Sequence, residues 1–195
     1  MATIADVARI ARQAGQAGKE GGQTIVIGGV TFNLRERGYC ARFVRICHEA
    51  ASGLRPFEWP FAAANARQME QKLRANGKGV DDPLPGDVVA LNHNTGSNGH
   101  IGIYLGSGKF AENTSSTVRG PGTTISNLAQ MSGRVTGYYR ALPVAAQVKV
   151  VELPSSTVLG LIDAPSDPDG EYELVNHVGD QGKIYIRKRT HLPGT

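Results

Sequence analysis

The 195-residue sequence contains only two cysteines, Cys40 and Cys47, and this scarcity limits its covalent and metal chemistry. The two residues lie about 10 Å apart along the axis of one predicted helix, which is too far for a disulfide within that helix. No spacing of cysteine and histidine typical of zinc sites is present. The sequence therefore predicts neither a disulfide-stapled fold nor a metal or organic cofactor.

Long hydrophobic runs are also missing, and no segment offers the roughly 20 apolar residues that a membrane helix needs. The first residues, MATIADVARIARQAGQAGKEGG, lack the continuous apolar core of a signal peptide. We therefore expect no membrane insertion. If the protein works outside a cytoplasm, another system delivers it.

The formal net charge is +4, and this basic balance favours anionic partners such as a cell wall. Residues 1–142 carry 16 Lys/Arg against 10 Asp/Glu, whereas residues 143–195 carry five against seven. No compact basic run or nucleic-acid-binding motif accompanies the excess, so we expect no nucleic-acid partner.

Apolar residues recur at helical spacing in three segments, within residues 1–22, from Tyr39 to about Ala51, and from Ala62 to Ala75. Short strand patterns follow, including Val88–Leu91, a hairpin within His100–Ser115, and the closing stretch RVTGYYRAL. Helices followed by a short antiparallel sheet are typical of an α+β fold.

Three regions are expected along the chain. Residues 1–22 form an N-terminal helix, residues 23–142 form the main domain, and a boundary falls at Pro143. Residues 143–195 hold four short strand candidates separated by Pro-, Asp- and Gly-rich turns, namely VKVVELP, TVLGLI, YELVNHV and KIYIRKR. About fifty residues is a marginal size for independent folding, so we expect this small β-rich segment to pack on the main domain or on another protein.

Cys40 and His100 are the candidate catalytic pair. Cys40 begins a predicted helix, where the positive end of the dipole and unpaired N–H groups favour a thiolate. Cys47 falls on the apolar stripe of the same helix and is expected to be buried. His100 opens a strand, and Gly102, two residues on, leaves space beside it. Among the five histidines, only His100 has strand geometry suited to a catalytic base.

A third side chain usually orients the imidazole of a Cys–His pair. The returning strand of the hairpin offers Glu112 and Asn113, which point to opposite faces. A two-residue turn at Ser107–Gly108 puts Asn113 on the face of His100, whereas a three-residue turn that includes Lys109 puts Glu112 there. The sequence leaves both alternatives open.

Residues 36 to about 142 resemble the papain-like cell-wall cysteine peptidases and amidases, the superfamily that contains the NlpC and CHAP families. The resemblance lies in YCARFV at the nucleophile, LPGDVVAL at a Pro-Gly-Asp strand, GHIGIYLGSGKF at the histidine strand, and ENTSSTV followed by VTGYYR. It implies helices packed on an antiparallel sheet, with Cys40 as nucleophile and His100 as base.

The two families differ on the third residue. The NlpC-type spacing from the histidine implies Glu112, whereas the CHAP-type pattern implies Asn113 and places Ala111 where its acid should be. NlpC-type domains usually carry Asp-Cys-Ser-Gly at the nucleophile, whereas this chain has Tyr-Cys-Ala-Arg from Tyr39. Besides Tyr39, the candidate substrate-binding residues are Trp59 and Tyr104. Trp59 lies with Phe57 between two prolines and next to Phe61, in an aromatic segment that could line a substrate groove or cap the core, and Tyr104 lies on the face of His100.

The resemblance implies a peptidoglycan hydrolase that cleaves an amide bond of the wall peptide. We expect a phage lysin or a virion component, with virion or lysis proteins as possible partners of residues 143–195. Two alternatives stay open: an inactive papain-like module with a role in assembly, and a cysteine peptidase or acyltransferase acting on another substrate.

Overall fold

The computed structural model describes residues 2–92, 98–116, 122–131, 134–144, 162–163, 171–176 and 184–188. The chain divides into two units, Met1–Ala145 and Ala146–Thr195. The helices of the first unit are α1 Ile4–Lys19, α2 Cys40–Ser52 and α3 Ala66–Ala75. Its strands are β1 Thr24–Ile27, β2 Val30–Asn33, β3 Gly79–Val80, β4 Val88–Leu91, β5 His100–Gly106, β6 Lys109–Asn113, β7 Thr123–Asn127 and β8 Val135–Tyr139.

Six of these strands form one antiparallel sheet in the order β3-β8-β4-β5-β6-β7, while β1 and β2 form a separate hairpin. The apolar stripes of all three helices join one side of this sheet in a common core. Helices packed on an antiparallel sheet confirm the predicted α+β class. Within the described residues, no helix is long and apolar enough to cross a membrane.

The N-terminal helix α1 is part of this core. Thr3 and Asp6 form a capping box at its start, which satisfies backbone N–H groups that the helix leaves unpaired. Val7, Ala11 and Ala14 on its apolar face are fully buried, and α1 packs mainly on β7, β5 and α2.

Strand β7 and the start of α3 differ from the sequence expectation, which is a helical turn from Ser126 to Met131 and a helix from Ala62. The segment around Ser126 reads as a helical turn, but Thr123–Asn127 pairs with β6 and only Leu128–Met131 forms a 3-10 turn. The third helix begins at Ala66 rather than Ala62, because the Asn65 side chain caps it by accepting from the Gln68 N–H at 2.9 Å.

The hairpin β5–β6 closes through a two-residue turn. Gly106 pairs with Lys109 across it, and the two central residues have positive φ angles, 49° at Ser107 and 68° at Gly108. Such a turn matches the right-handed twist of the flanking strands. The shorter of the two turns weighed from the sequence is therefore the one present.

A β-bulge on β5, just before this turn, changes the register of the hairpin. Leu105 is an extra residue on β5 that faces no partner on β6, and its carbonyl instead accepts from Arg12 of α1 at 3.0 Å. Beyond the bulge Gly102 pairs with Glu112. Glu112 therefore shares the face of His100, although the two-residue turn alone predicts the opposite.

The Pro-Gly-Asp segment ends in a buried carboxylate that ties β4 to the end of β8. Asp87 is fully buried and accepts from Nε and a terminal nitrogen of Arg140 at 3.0 and 2.8 Å. It also accepts from the Leu84 N–H at 2.8 Å. This bidentate ion pair fixes β4, which runs beside the histidine-bearing strand β5.

The second unit contains a small antiparallel sheet in the order β11-β10-β9. Its strands are β9 Ile162–Asp163, β10 Glu171–Asn176 and β11 Ile184–Lys188. The last two coincide with predicted strand patterns in the tail. The predicted strand VKVVELP lies outside the described residues.

Candidate active site

Cys40 is the first residue of α2 and is half-buried. The first backbone N–H groups of a helix have no partner within it, so this position concentrates positive potential around the thiol. Cys47, two turns further along, is fully buried, and burial raises the pKa of its thiol. The two thiols therefore occupy the different environments that the helical pattern predicts.

His100 lies between Cys40 and Glu112. Its Nε2 contacts the Glu112 carboxylate, and its side chain also hydrogen-bonds that of Cys40. Because Nε2 is occupied by Glu112, Nδ1 is the ring nitrogen left for the thiol. The sequence segments that begin α2 and β5 thus meet at one point in space.

The electrostatic surroundings of His100 favour its protonated form. Burial alone lowers its pKa, but the hydrogen bonds and charges of Cys40 and Glu112 outweigh burial and raise the pKa to about 9. Glu112 is itself fully buried, and its second carboxylate oxygen accepts from the Ser126 hydroxyl. A buried carboxylate with both oxygens engaged is well placed to hold the imidazolium ring.

Asn113 points away from His100 and instead binds the backbone segment that leads into Cys40. Its Oδ1 accepts from the Tyr39 N–H at 2.7 Å. Its Nδ2 donates to the Glu36 carbonyl at 2.7 Å and to the Thr123 hydroxyl at 3.0 Å. Of the two candidates for the third residue, the structure brings Glu112 to His100, whereas Asn113 holds the backbone just before Cys40.

A cleft of about 750 Å³ opens at the Cys40–His100 pair. Tyr39 lies in its wall and is 46% exposed. Arg42 and Arg45 are also among its described lining residues, and each is paired with a carboxylate, Arg42 with Glu36 at 3.4 Å and Arg45 with Glu49 at 2.8 Å. The positive charge of each arginine is therefore balanced by a neighbouring carboxylate.

The other two predicted substrate-binding residues lie elsewhere. Trp59 is buried and stacks on the His48 ring with centroids 4.4 Å apart. Tyr104 is half-buried and packs edge-on against Tyr138. The structure gives both residues packing roles outside the cleft.

The space expected beside Gly102 is filled by the protein itself. A side chain at this position would meet the Ala111 carbonyl at 2.6 Å and the Phe110 ring at 2.8 Å. The glycine therefore permits a close approach of β6, and substrate access to His100 comes from the cleft side.

The sequence profile of the NlpC/P60 family matches residues 39–139, which is just over half of the chain. The chain belongs to the NlpC/P60 family. Members of this family are generally cysteine peptidases, and the matched residues include Cys40, His100 and Glu112. A comparison with curated proteins finds no significant match.

Two solved NlpC/P60 structures are similar to this chain. NlpC2 from Trichomonas vaginalis is 14% identical, with a TM-score of 0.45 over 70% of this chain and 46% of that one. An NlpC/P60 family protein from Bacillus cereus is 20% identical, with a TM-score of 0.39 over 53% of this chain and 32% of that one. The chain thus covers less than half the length of either protein.

Two charged residues beside the cleft of this NlpC/P60 domain, Arg45 and Glu49, escaped the sequence reasoning. Arg45 and Glu49 form an ion pair at 2.8 Å with both side chains almost buried, and Phe57 lies over the arginine. Neither residue belongs to the apolar stripe of α2, which consists of Phe43, Val44, Ile46, Cys47 and Ala50. The spacing of four residues between Arg45 and Glu49 is the one signal that could have indicated a pair.

No group of three or more His, Cys, Asp or Glu side chains able to hold a metal ion occurs among the residues that the structure describes. The chemistry of the site is instead that of a thiol, an imidazole and a carboxylate in series. This arrangement supports nucleophilic attack on a carbonyl followed by proton transfer to the leaving group.

Proposed function

We propose that the protein is a cysteine-dependent peptidoglycan hydrolase that cleaves an amide bond of the cell-wall peptide. The observation that carries the proposal is the series Cys40–His100–Glu112, in which Cys40 and His100 line an open cleft and Glu112 is buried behind the histidine. The NlpC/P60 family supplies the class of substrate, because its members generally act as cell-wall peptidases or amidases.

The first half of the reaction makes a thioester. The sulfur of Cys40 attacks the carbonyl carbon of the scissile amide, and a C–S bond forms. His100, protonated before attack, then gives its proton to the leaving nitrogen as the C–N bond breaks. The backbone N–H of Cys40 is the candidate donor to the developing oxyanion, since the Tyr39 N–H is already committed to Asn113.

The second half restores the enzyme. A water molecule gives one proton to His100 and attacks the thioester carbon, which releases the carboxylic acid product and the Cys40 thiolate. Glu112 acts as a positioning residue throughout, because it holds the ring nitrogen that faces away from the thiol.

We further propose that the enzyme reaches the wall through phage lysis or as part of a virion, with the second unit as its docking segment. The helix Ile4–Lys19 is built into the core of the catalytic unit, which supports its retention in the working enzyme. Expression in the bacterial cytoplasm should leave cells intact, whereas the same chain fused to an export signal should lyse them. Lysis by the cytoplasmic form would contradict this route.

Digestion of purified sacculi tests the catalytic proposal. The wild-type protein should release fragments whose masses show one new amino group and one new carboxyl group at a single amide bond. Cys40→Ala should release none, while Cys47→Ala is the matched control and should retain activity if it folds. Equal release by wild type and Cys40→Ala would contradict the proposal.

A further inference from the structure

The segment after α2 contains a tight turn with an unusual residue at its third position. The Glu58 N–H donates to the Arg55 carbonyl at 3.1 Å, which closes a four-residue turn with Pro56 second and Phe57 third. Phe57 has a φ of +70°. Since proline excludes a positive φ at the second position, this is a type II turn, whose third position normally requires glycine or asparagine.

Phenylalanine is a costly choice at this position. A bulky side chain with positive φ is a backbone outlier, and such outliers persist only where surrounding contacts enforce them. Glycine would adopt the same conformation without strain. The turn itself therefore gives no reason for an aromatic residue.

A buried ion pair holds Phe57 in place. Glu49 accepts from the Phe57 N–H at 2.6 Å through one carboxylate oxygen and from Arg45 at 2.8 Å through the other. The Arg45 guanidinium lies over one face of the Phe57 ring, with its carbon 3.9 Å from the ring centroid. One carboxylate thus fixes both the backbone of the turn and the cation beneath the ring.

The ring contributes little to the core of the domain. Two neighbouring aromatics, Trp59 and Phe61, are 3% and 7% exposed and pack edge-on against each other, whereas Phe57 is 77% exposed. Phe57 and Arg45 line the same cleft as Cys40. The strained residue is therefore presented to the space that the substrate enters.

We propose that Phe57 is a specificity-determining residue whose free ring face packs against an apolar side chain of the bound wall peptide. Arg45 and Glu49 act as positioning residues that fix the ring. This inference rests on the proposed function for the identity of the ligand, and an apolar partner follows from the ring face that Arg45 leaves uncovered. An aromatic ring that is already ordered loses little conformational freedom when a ligand covers it.

Binding measurements separate this inference from the catalytic proposal. The probe is a soluble wall peptide mixture from digested sacculi, titrated calorimetrically into the Cys40→Ala protein so that no turnover is needed. In that background Phe57→Gly should weaken binding about tenfold or more, since a buried aromatic contact is lost. Phe57→Tyr keeps the ring and should bind as the parent does.

A matched control is Val26→Ala, which removes an exposed apolar side chain that lies outside the cleft. It should not change binding. The melting temperature of Phe57→Gly should stay the same or rise, because the turn strain is relieved. That result shows that weaker binding does not come from unfolding.

Three other outcomes distinguish a failure of this inference from a failure of the proposed function. Equal binding by Phe57→Gly and its parent would show that the ring does not contact the peptide. A parent that binds no wall peptide would refute the ligand assigned here, whatever the wild type does to sacculi. Wild type that leaves sacculi intact, with binding that still depends on Phe57, would refute hydrolysis and support the contact.

Discussion

Replacement of Glu112 by glutamine removes one charge from the buried pair and leaves its shape unchanged. His100 has a pKa of about 9, against an ordinary value of 6.5, and Glu112 is one of the two groups that raise it. Glu112→Gln should therefore lower the pKa of His100. At neutral pH, less of the enzyme would then carry the imidazolium that protonates the leaving amine.

The effect on turnover should be large. Glu112→Gln weakens the bond that holds the His100 ring in position as general acid, and we expect kcat/KM to fall about a hundredfold or more. The alkaline limb of the pH–rate profile should also move to lower pH, because His100 loses its proton earlier. Asn113→Ala is the matched control. It should lower the rate by loosening the Tyr39 segment, but leave the alkaline limb in place.

The same substitution should change how stability depends on pH. The folded-state pKa of His100 is raised, so its stabilising contribution is fully present below about pH 6.5 and is lost as pH rises through about 9. A shift of this size corresponds to about 3 kcal/mol of unfolding free energy. Urea denaturation between pH 6 and pH 10 should show a smaller loss for Glu112→Gln than for wild type. An unchanged alkaline limb and equal losses would refute the assignment of Glu112.

Three further predictions concern other parts of the chain. Iodoacetamide at pH ~6, where an ordinary thiol of pKa near 8.5 is mostly protonated, should label Cys40 far faster than buried Cys47, as measured by peptide mass mapping. Equal labelling would contradict the expectation that the start of α2 makes Cys40 the more reactive thiol. Burial lowers the pKa of His48 to about 4, so about 3 kcal/mol of unfolding free energy is lost as pH falls from about 6.5 to 4. Acid titration of the melting temperature should show this loss, and His48→Phe should flatten the profile. An unchanged profile for His48→Phe would show that another group is responsible. A chain truncated at Ala145 keeps the hydrogen bond from the Ile4 N–H to the Pro143 carbonyl. It should fold and cleave soluble wall peptides but bind intact sacculi less well. Loss of cooperative unfolding would show that the tail is part of the core.

The sequence predicts where Cys40 and His100 lie because each position depends on a local pattern. Cys40 follows an extended segment and opens an apolar helical stripe, and His100 opens a strand of alternating pattern. Both positions are set by the backbone periods of 3.6 and 2. Their meeting in space is not local, and only the resemblance to a known family indicated it.

The register of the hairpin could not be predicted from its own residues. The turn at Ser107–Gly108 is the shorter of the two that the sequence allows, but the bulge at Leu105 reverses which side chain faces His100. The Leu105 carbonyl bonds Arg12, which is 93 residues away in sequence. A contact of that range leaves no trace in the spacing of the strands.

The aromatic segment after α2 shows a second limit of pattern reading. Trp59 is the natural sequence candidate for a substrate contact, yet it stacks on His48 in the core. Phe57 is exposed instead, because a positive φ and the Glu49 carboxylate turn the chain outward. Which aromatic residue faces solvent depends on one backbone angle, which composition does not encode.

The relation between activity and modification of Cys40 tests the central claim most directly. Samples alkylated to increasing extents would be assayed on soluble wall peptides, and the modified fraction of each cysteine measured by peptide mass analysis. Activity should fall in proportion to the unmodified fraction of Cys40 and reach zero when that thiol is fully alkylated, with Cys47 still intact. Amide cleavage that survives complete modification of Cys40 would contradict its role as the nucleophile.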